Sequence, residues 1–281
     1  MDGVPFSEIP REVVEEVGRA ASDFLIGFAV FKTGESGEDA ALAGSGTLVQ
    51  VDGIHGVLTA DHVLENLPAT QDIGLIVPTR HEPLLQRPTL AKDAVLRLRV
   101  GHGRRTAEGP DLALLLLSSV DAASLSARKS FYNLSRRQDE ILSNPPSRTD
   151  GLWVLCGFAD EFTAEYGPER GFSKIKAFPG ACPAVWVKRE YNNGDFDYCE
   201  FEVGYDGPDK PPKSFGGFSG GGLWQAQLLR APEGRLTAQQ PILGGVAFYE
   251  SSLTDGRNII TCHAWRSIYG RVVEAVRSKA S

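Results

Sequence analysis

The stretch SFGGFSGGGLW, from Ser214 to Trp224, sets five glycines around a single serine. Between Gly216 and Gly222 only Phe218 and Ser219 carry side chains. Flexible linkers are also rich in glycine and serine. A linker, however, does not run straight into Leu223, Trp224 and a long folded-looking sequence. The other reading is a tight turn that presents one hydroxyl and bare backbone N–H groups to a ligand. The rest of the chain decides between the two.

The chain has 281 residues, 42% hydrophobic and 23% charged, enough for one large domain or two small ones. Its net charge of −7 argues against nucleic acid or an anionic membrane surface as the main partner. No apolar run reaches the ~18 residues of a transmembrane helix. The N-terminal MDGVPFSEIPREVVEEVG is acidic and amphipathic, whereas a secretory signal starts basic and then runs apolar. The expected address is cytoplasmic. Cys156, Cys182, Cys199 and Cys262 lack metal-ligand spacing and read as buried thiols, with no metal and no cofactor expected.

Ser7 to Asp23 reads as a capped helix with Val13, Val14 and Val17 on one side. FLIGFAVF (Phe24–Phe31) is a β-rich run, and SGTLVQV and HGVLTA flank a hairpin turn at Asp52-Gly53. DIGLIVPT, AVLRLRV and DLALLLL are further strand candidates. Ala122–Leu142 is a helix or a connecting segment before Asn144-Pro145-Pro146. LWVLCGF, KIKAFPG, AVWVK and DYCEFEVG are strands again, as are PILGGVAFY and NIITC; YDGPDKPPKSFGG is an irregular loop. His263–Lys279 closes the chain as an amphipathic helix. Many short strands, a helix at each end and no βαβ alternation favour antiparallel barrels or sandwiches. A natural division falls into 1–120, a connecting helical segment 121–146, and 147–281.

A serine hydroxyl is a poor nucleophile until a base takes its proton, a carboxylate orients that base, and donors receive the oxyanion. His62 sits at the exit of a strand in GVLTADHVLEN. Asp111 opens the apolar run in EGPDLALLLL. Ser219 has the glycine frame, and Gly217 lets the N–H groups of Gly217 and Ser219 converge as an oxyanion hole. Each has a bland reading alone: a surface or core histidine, a strand-capping acid, a glycine-rich surface loop. The basic RLRVGHGRR (Arg97–Arg105) reads as a solvated strand-loop face.

Taken together, GSGTLVQ…GVLTADHV, then DLALLLL, then GGFSGGGLW, in the order His, Asp, Ser, resemble the chymotrypsin-like (trypsin-like) serine protease superfamily, in a bacterial-type intracellular form. The resemblance runs from Gly44 to Trp224. It implies an all-β fold of two antiparallel six-stranded barrels, here with an N-terminal and a C-terminal helix. It also implies that His62 is general base and acid, Asp111 its orienting carboxylate and Ser219 the nucleophile. The substrate would be a protein or peptide.

The chain departs from the secreted relatives. No cysteine stands near His62, and Phe218 replaces the aspartate that pairs with a new N-terminal amine after zymogen cleavage. No IVGG-like cleavage site precedes the first barrel. Gating by a partner protein or by a loop that deforms the oxyanion turn is therefore expected. By motif alignment Lys213 falls at the floor of the substrate pocket, with Tyr249, Glu250 and His263 on the wall side. Two competing readings stand beside this one. GFSGG also fits the nucleophile elbow of α/β-hydrolases, with Asp255 and His263 as partners, although that elbow needs a strand before it and a helix after it. The other is a catalytically silent protein-binding module on the protease fold.

Overall fold

Phe24–Phe31 and Asp111–Leu117 are apolar at nearly every position, where a strand with one wet face would alternate. The fold explains this by burying both faces of the same strands. In a computed structural model, which describes residues 8–34, 37–69, 71–78, 88–103, 106–162, 164–169, 172–176, 179–203, 214–251 and 258–280, Leu25, Val49, Leu58, Leu112 and Leu114 face one core cluster. Their neighbours Ile26, Phe28, Leu48, Val57, Ala113 and Leu115 face a second.

The elements, in chain order, are helix α1 (Arg11–Ser22), strands β1 (Leu25–Gly34), β2 (Gly37–Val51) and β3 (Ile54–Thr59), and helix α2 (Asp61–Asn66). Strands β4 (Ile73–Ile76), β5 (Thr89–Leu90), β6 (Leu96–Gly101) and β7 (Leu112–Leu116) complete the N-terminal half. The connection carries α3 (Ser119–Ser126), β8 (Tyr132–Asn133) and α4 (Leu134–Ser143). The C-terminal half holds β9 (Leu152–Phe158), β10 (Ala164–Glu169), β11 (Phe172–Lys176), β12 (Pro179–Asn193), β13 (Phe196–Val203) and β14 (Gly222–Ala226). It ends with β15 (Leu228–Arg230), β16 (Leu236–Ala238), β17 (Ile242–Ser251), β18 (Asn258–His263) and helix α5 (Val273–Ala280).

Chain geometry accounts for the hairpin between β2 and β3. Asp52 (φ 47°) and Gly53 (φ 87°) both take the left-handed conformation, which matches a two-residue turn to the strand twist. In the C-terminal half β12, β13, β18, β17, β14 and β9 close into a six-stranded, wholly antiparallel barrel. The N-terminal sheet runs β5-β4-β1-β2-β3-β7-β6 as an antiparallel path, with β8 and the β10–β11 hairpin attached through β2. Of the expected pair of six-stranded barrels, one is closed among the described strands, and the path of the larger N-terminal sheet is open there. The first cluster joins the halves, drawing Leu25 and Val49 together with Trp153, Leu155, Phe158, Leu223 and Trp224.

Three local expectations change. KIKAFPG and AVWVK fall on β11 and on one long strand, β12, rather than on two short ones. The closing helix does not start at His263, because β18 pairs with β13 and β17 as far as that residue. A π-helical stretch, Arg266–Val272, then runs into α5. Ser7, the expected cap of the first helix, lies outside the described residues, and α1 follows Pro10. Cys199 and Cys262 are buried free thiols, and Cys156 is buried as well. Among the described residues no helix is long and apolar enough to cross a membrane.

Candidate active site

β3 ends at Thr59, Ala60 is extended, and α2 starts at Asp61, so His62 lies in the first turn of a short helix. Val63 and Leu64 beside it are fully buried in the second cluster, each contributing roughly 1.5–3 kcal/mol to seating that turn. First-turn N–H groups have no partner within their own helix. The His62 N–H uses this freedom, donating to Asp111 Oδ1 at 2.9 Å. Its ring Nδ1 lies 2.5 Å from Asp111 Oδ2. A carboxylate only accepts, so Nδ1 carries the ring proton and Nε2 is left as the basic nitrogen. The Asp111 side chain is 4% exposed, and the His62 ring 19%.

Behind Asp111 stands a second histidine. The Asp111 N–H donates to His263 Nε2 at 3.1 Å. His263 is fully buried among Phe196, Tyr198 and Phe248. Burial pushes its pKa down to about 4, against the opposing pull of Asp111 and Asp197. The ring is therefore neutral and carries its proton on Nδ1, which has no partner among the described residues. This corrects its expected place on the pocket wall: the pairing of β18 with β13 and β17 turns it inward.

The sign of its effect on stability follows. The unfolded ring takes a proton below pH ~6.5, and the folded ring does so only near 4. Stability is whole above pH ~6.5 and falls as pH drops towards 4, by about 3 kcal/mol in total. Urea unfolding of wild type and His263→Gln across that window is expected to show a shallower pH slope in the variant. Equal slopes would remove His263 from this role.

Ser219 is half-buried on the loop that leads into β14. Strand β2 of the other half holds this loop in shape. Ser45 N–H donates to Ser219 O at 2.9 Å and Ser45 Oγ to Gly217 O at 2.7 Å, while Thr47 Oγ1 donates to Gly220 O at 3.2 Å. From the barrel side, Gly220 N–H donates to Ala247 O at 2.7 Å. Gly44 marks how close the two parts lie: a Cβ there would sit 2.7 Å from Val63 and 3.3 Å from Ser219 O. The structure thus joins His62 to Asp111 directly and sets Ser219 against the strands that lead to His62. Among the described residues no hydrogen bond links Ser219 Oγ to His62 Nε2.

Phe215 to Phe218 form a β-turn closed by Phe218 N–H to Phe215 O at 3.0 Å. Gly217, at its third position, has φ +88°, the mark of a type II turn and a conformation that favours glycine. Gly216 O accepts from Asp160 N–H at 2.9 Å. Oxygen and hydrogen of one trans peptide point in opposite directions. Anchoring Gly216 O therefore aims the Gly217 N–H the other way. Among the described residues the N–H groups of Gly217 and Ser219 have no hydrogen-bond partner, whereas those of Gly216, Phe218, Gly220 and Gly221 are all engaged. Phe218 is buried, edge-on to Phe215 at 5.0 Å, and Gly157 makes room for it.

Of the remaining pocket residues, Tyr249 is half-buried against the second core cluster. Lys213 lies outside the described residues, as does Asp255. The hydrolase-elbow alternative fails on local structure, because Ser219 leads into strand β14 and not a helix, and His263 is occupied by Asp111. Sequence reasoning missed Ser45 and Thr47 as supports. The available signal was two hydroxyls at alternate positions within the run ALAGSGTLV; both are fully buried in the fold.

No protein-family model matches the chain, and no curated protein matches it. Among solved structures it is similar to the HtrA-type protease AlgW with a decapeptide, at 13% identity and a TM-score of 0.44, over 94% of this chain and 67% of that one. It is similar also to a substituted form of AlgW with the decapeptide, at 13% identity and a TM-score of 0.45, over 95% of this chain and 68% of that one.

Proposed function

We propose that the chain is a serine endopeptidase of the chymotrypsin-like class, acting on a protein or peptide substrate through an acyl-enzyme. The observation that carries this is the bidentate hold of Asp111 on His62, by ring and by backbone, together with a serine loop whose Gly217 and Ser219 N–H groups have no partner among the described residues. In this reading His62 Nε2 takes the proton of Ser219 Oγ as the oxygen attacks the scissile carbonyl. The resulting oxyanion is received by the N–H groups of Gly217 and Ser219, each worth roughly 3–4 kcal/mol of transition-state stabilisation. His62 then returns the proton to the leaving amine, and a water repeats the sequence to release the acyl group. No metal ion or organic cofactor has a part in these steps.

A silent binding module is the second reading. The unmade bond between Ser219 Oγ and His62 Nε2 favours it, although such bonds are often long before substrate arrives. Labelling by a fluorophosphonate separates the two, because only an activated serine attacks the probe's phosphorus and expels fluoride. Wild type is expected to label, and Ser219→Ala and His62→Ala to lose labelling. A wild type that stays unlabelled, purified and in lysate with its native partners, would favour the silent module.

A further inference from the structure

Phe218 cannot form the ion pair by which secreted relatives hold their oxyanion turn, yet the turn here is formed. We propose that Glu250 is the positioning residue that holds it. The inference rests on the serine endopeptidase reading for its catalytic consequence, though its structural part stands alone.

Glu250 lies near the end of β17, half-buried, and its carboxylate receives three donors. Oε2 accepts from the Phe215 N–H at 3.0 Å and from Ser214 Oγ at 3.1 Å. Oε1 accepts from Asn258 Nδ2 at 2.7 Å. Asn258 opens the neighbouring strand β18, so the carboxylate is braced by the barrel on one side and grips the turn on the other. The grip extends one residue further, since Ser214 Oγ accepts the Gly216 N–H at 3.0 Å. Phe215 and Gly216, the first two residues of the turn, are thus tied to one side chain. The third, Gly217, is the proposed oxyanion donor.

Charge-assisted bonds of this kind are about twice as strong as neutral ones. Removing the carboxylate frees the Phe215 and Gly216 peptides together. The Gly216–Gly217 peptide is then restrained mainly by the Asp160 N–H. Rotation of that peptide would turn its carbonyl, instead of its N–H, towards the position of the oxyanion. The carboxylate is built into the barrel wall and is present without any cleavage of the chain. Glu250 is not placed in contact with substrate or the reacting atoms; it acts through the turn.

Glu250→Ala and Glu250→Gln, compared with wild type, test this by two readouts. The first is hydrogen exchange of the segment 214–222, which needs no activity. The second is the second-order rate of Ser219 labelling by a fluorophosphonate. Glu250→Ala is expected to speed exchange at Phe215 and Gly216 and to slow labelling about 100-fold, the size seen when one oxyanion donor is lost. Glu250→Gln keeps an acceptor for Phe215 and Ser214, and its labelling is expected to recover most of the loss. Unchanged exchange in Glu250→Ala would overturn the proposal whatever the labelling. So would a wild-type labelling rate in that variant, or a glutamine variant no better than alanine. If wild type itself fails to label but the exchange difference holds, Glu250 holds the turn and the endopeptidase reading falls instead.

Discussion

Asp111→Asn is expected to slow nucleophilic attack by Ser219 about 10⁴-fold with the fold intact. The geometry fixes how the amide must sit. The His62 backbone N–H points at Oδ1 and needs an acceptor there, so the amide oxygen takes that place. Its NH₂ group is then forced onto the position of Oδ2, facing His62 Nδ1. Two donors cannot face each other, so the ring gives up its Nδ1 proton and carries one on Nε2. That nitrogen can no longer take a proton from Ser219. The pre-steady-state rate of labelling by a fluorophosphonate, alongside urea unfolding, checks both halves of the expectation. A loss below tenfold in a stably folded variant would remove Asp111 from the orienting role.

Gly220→Ala is expected to cost about 3–4 kcal/mol of stability. Left-handed backbone accounts for ~1–2 kcal/mol of that, since Gly220 has φ +87°. The remainder is steric, because a Cβ would lie 2.1 Å from both Ser45 O and Thr59 Oγ1. Relief requires the loop to withdraw from β2, which strains Gly220 N–H to Ala247 O and Ser45 N–H to Ser219 O, each worth about 1 kcal/mol. Gly53 and Gly234 share the same φ of +87° but would meet nothing within 4 Å. Gly53→Ala and Gly234→Ala therefore isolate the backbone contribution and are expected to cost ~1–2 kcal/mol. Equal losses in all three variants by urea unfolding would mean that the serine loop is not packed against the first sheet.

The candidate residues stand out in the sequence where a residue contradicts its surroundings. Ser219 stood out among glycines, Asp111 at the head of a leucine run, and His62 where a strand pattern broke. The strands were legible as apolar runs, but their burial on two faces hid the alternation that would have assigned Leu25 and Ile26 to different cores. What escaped was fixed by pairing across long separations. His263 reads as the start of a helix until β13 is set beside it, opposite Tyr198. Glu250 reads as a wall residue until its carboxylate meets Phe215 from across the barrel mouth. Ser45 lies 172 positions from the carbonyl that its hydroxyl holds. No local pattern encodes such a bond. The closed C-terminal barrel and the larger N-terminal sheet also differ from a symmetric pair because the β10–β11 hairpin joins its pairing to β2, a partner that spacing alone does not reveal.

That bond from Ser45 bears on when the chain becomes competent during its own synthesis. The serine loop is encoded with the second barrel, yet its carbonyls at Gly217, Ser219 and Gly220 are gripped by a strand made far earlier. A ribosome-bound chain with only its first sheet folded has no serine to use. A second barrel that folds ahead of docking has a loop without its mould. In the proposed reading, the site is therefore complete only once both halves have closed on each other.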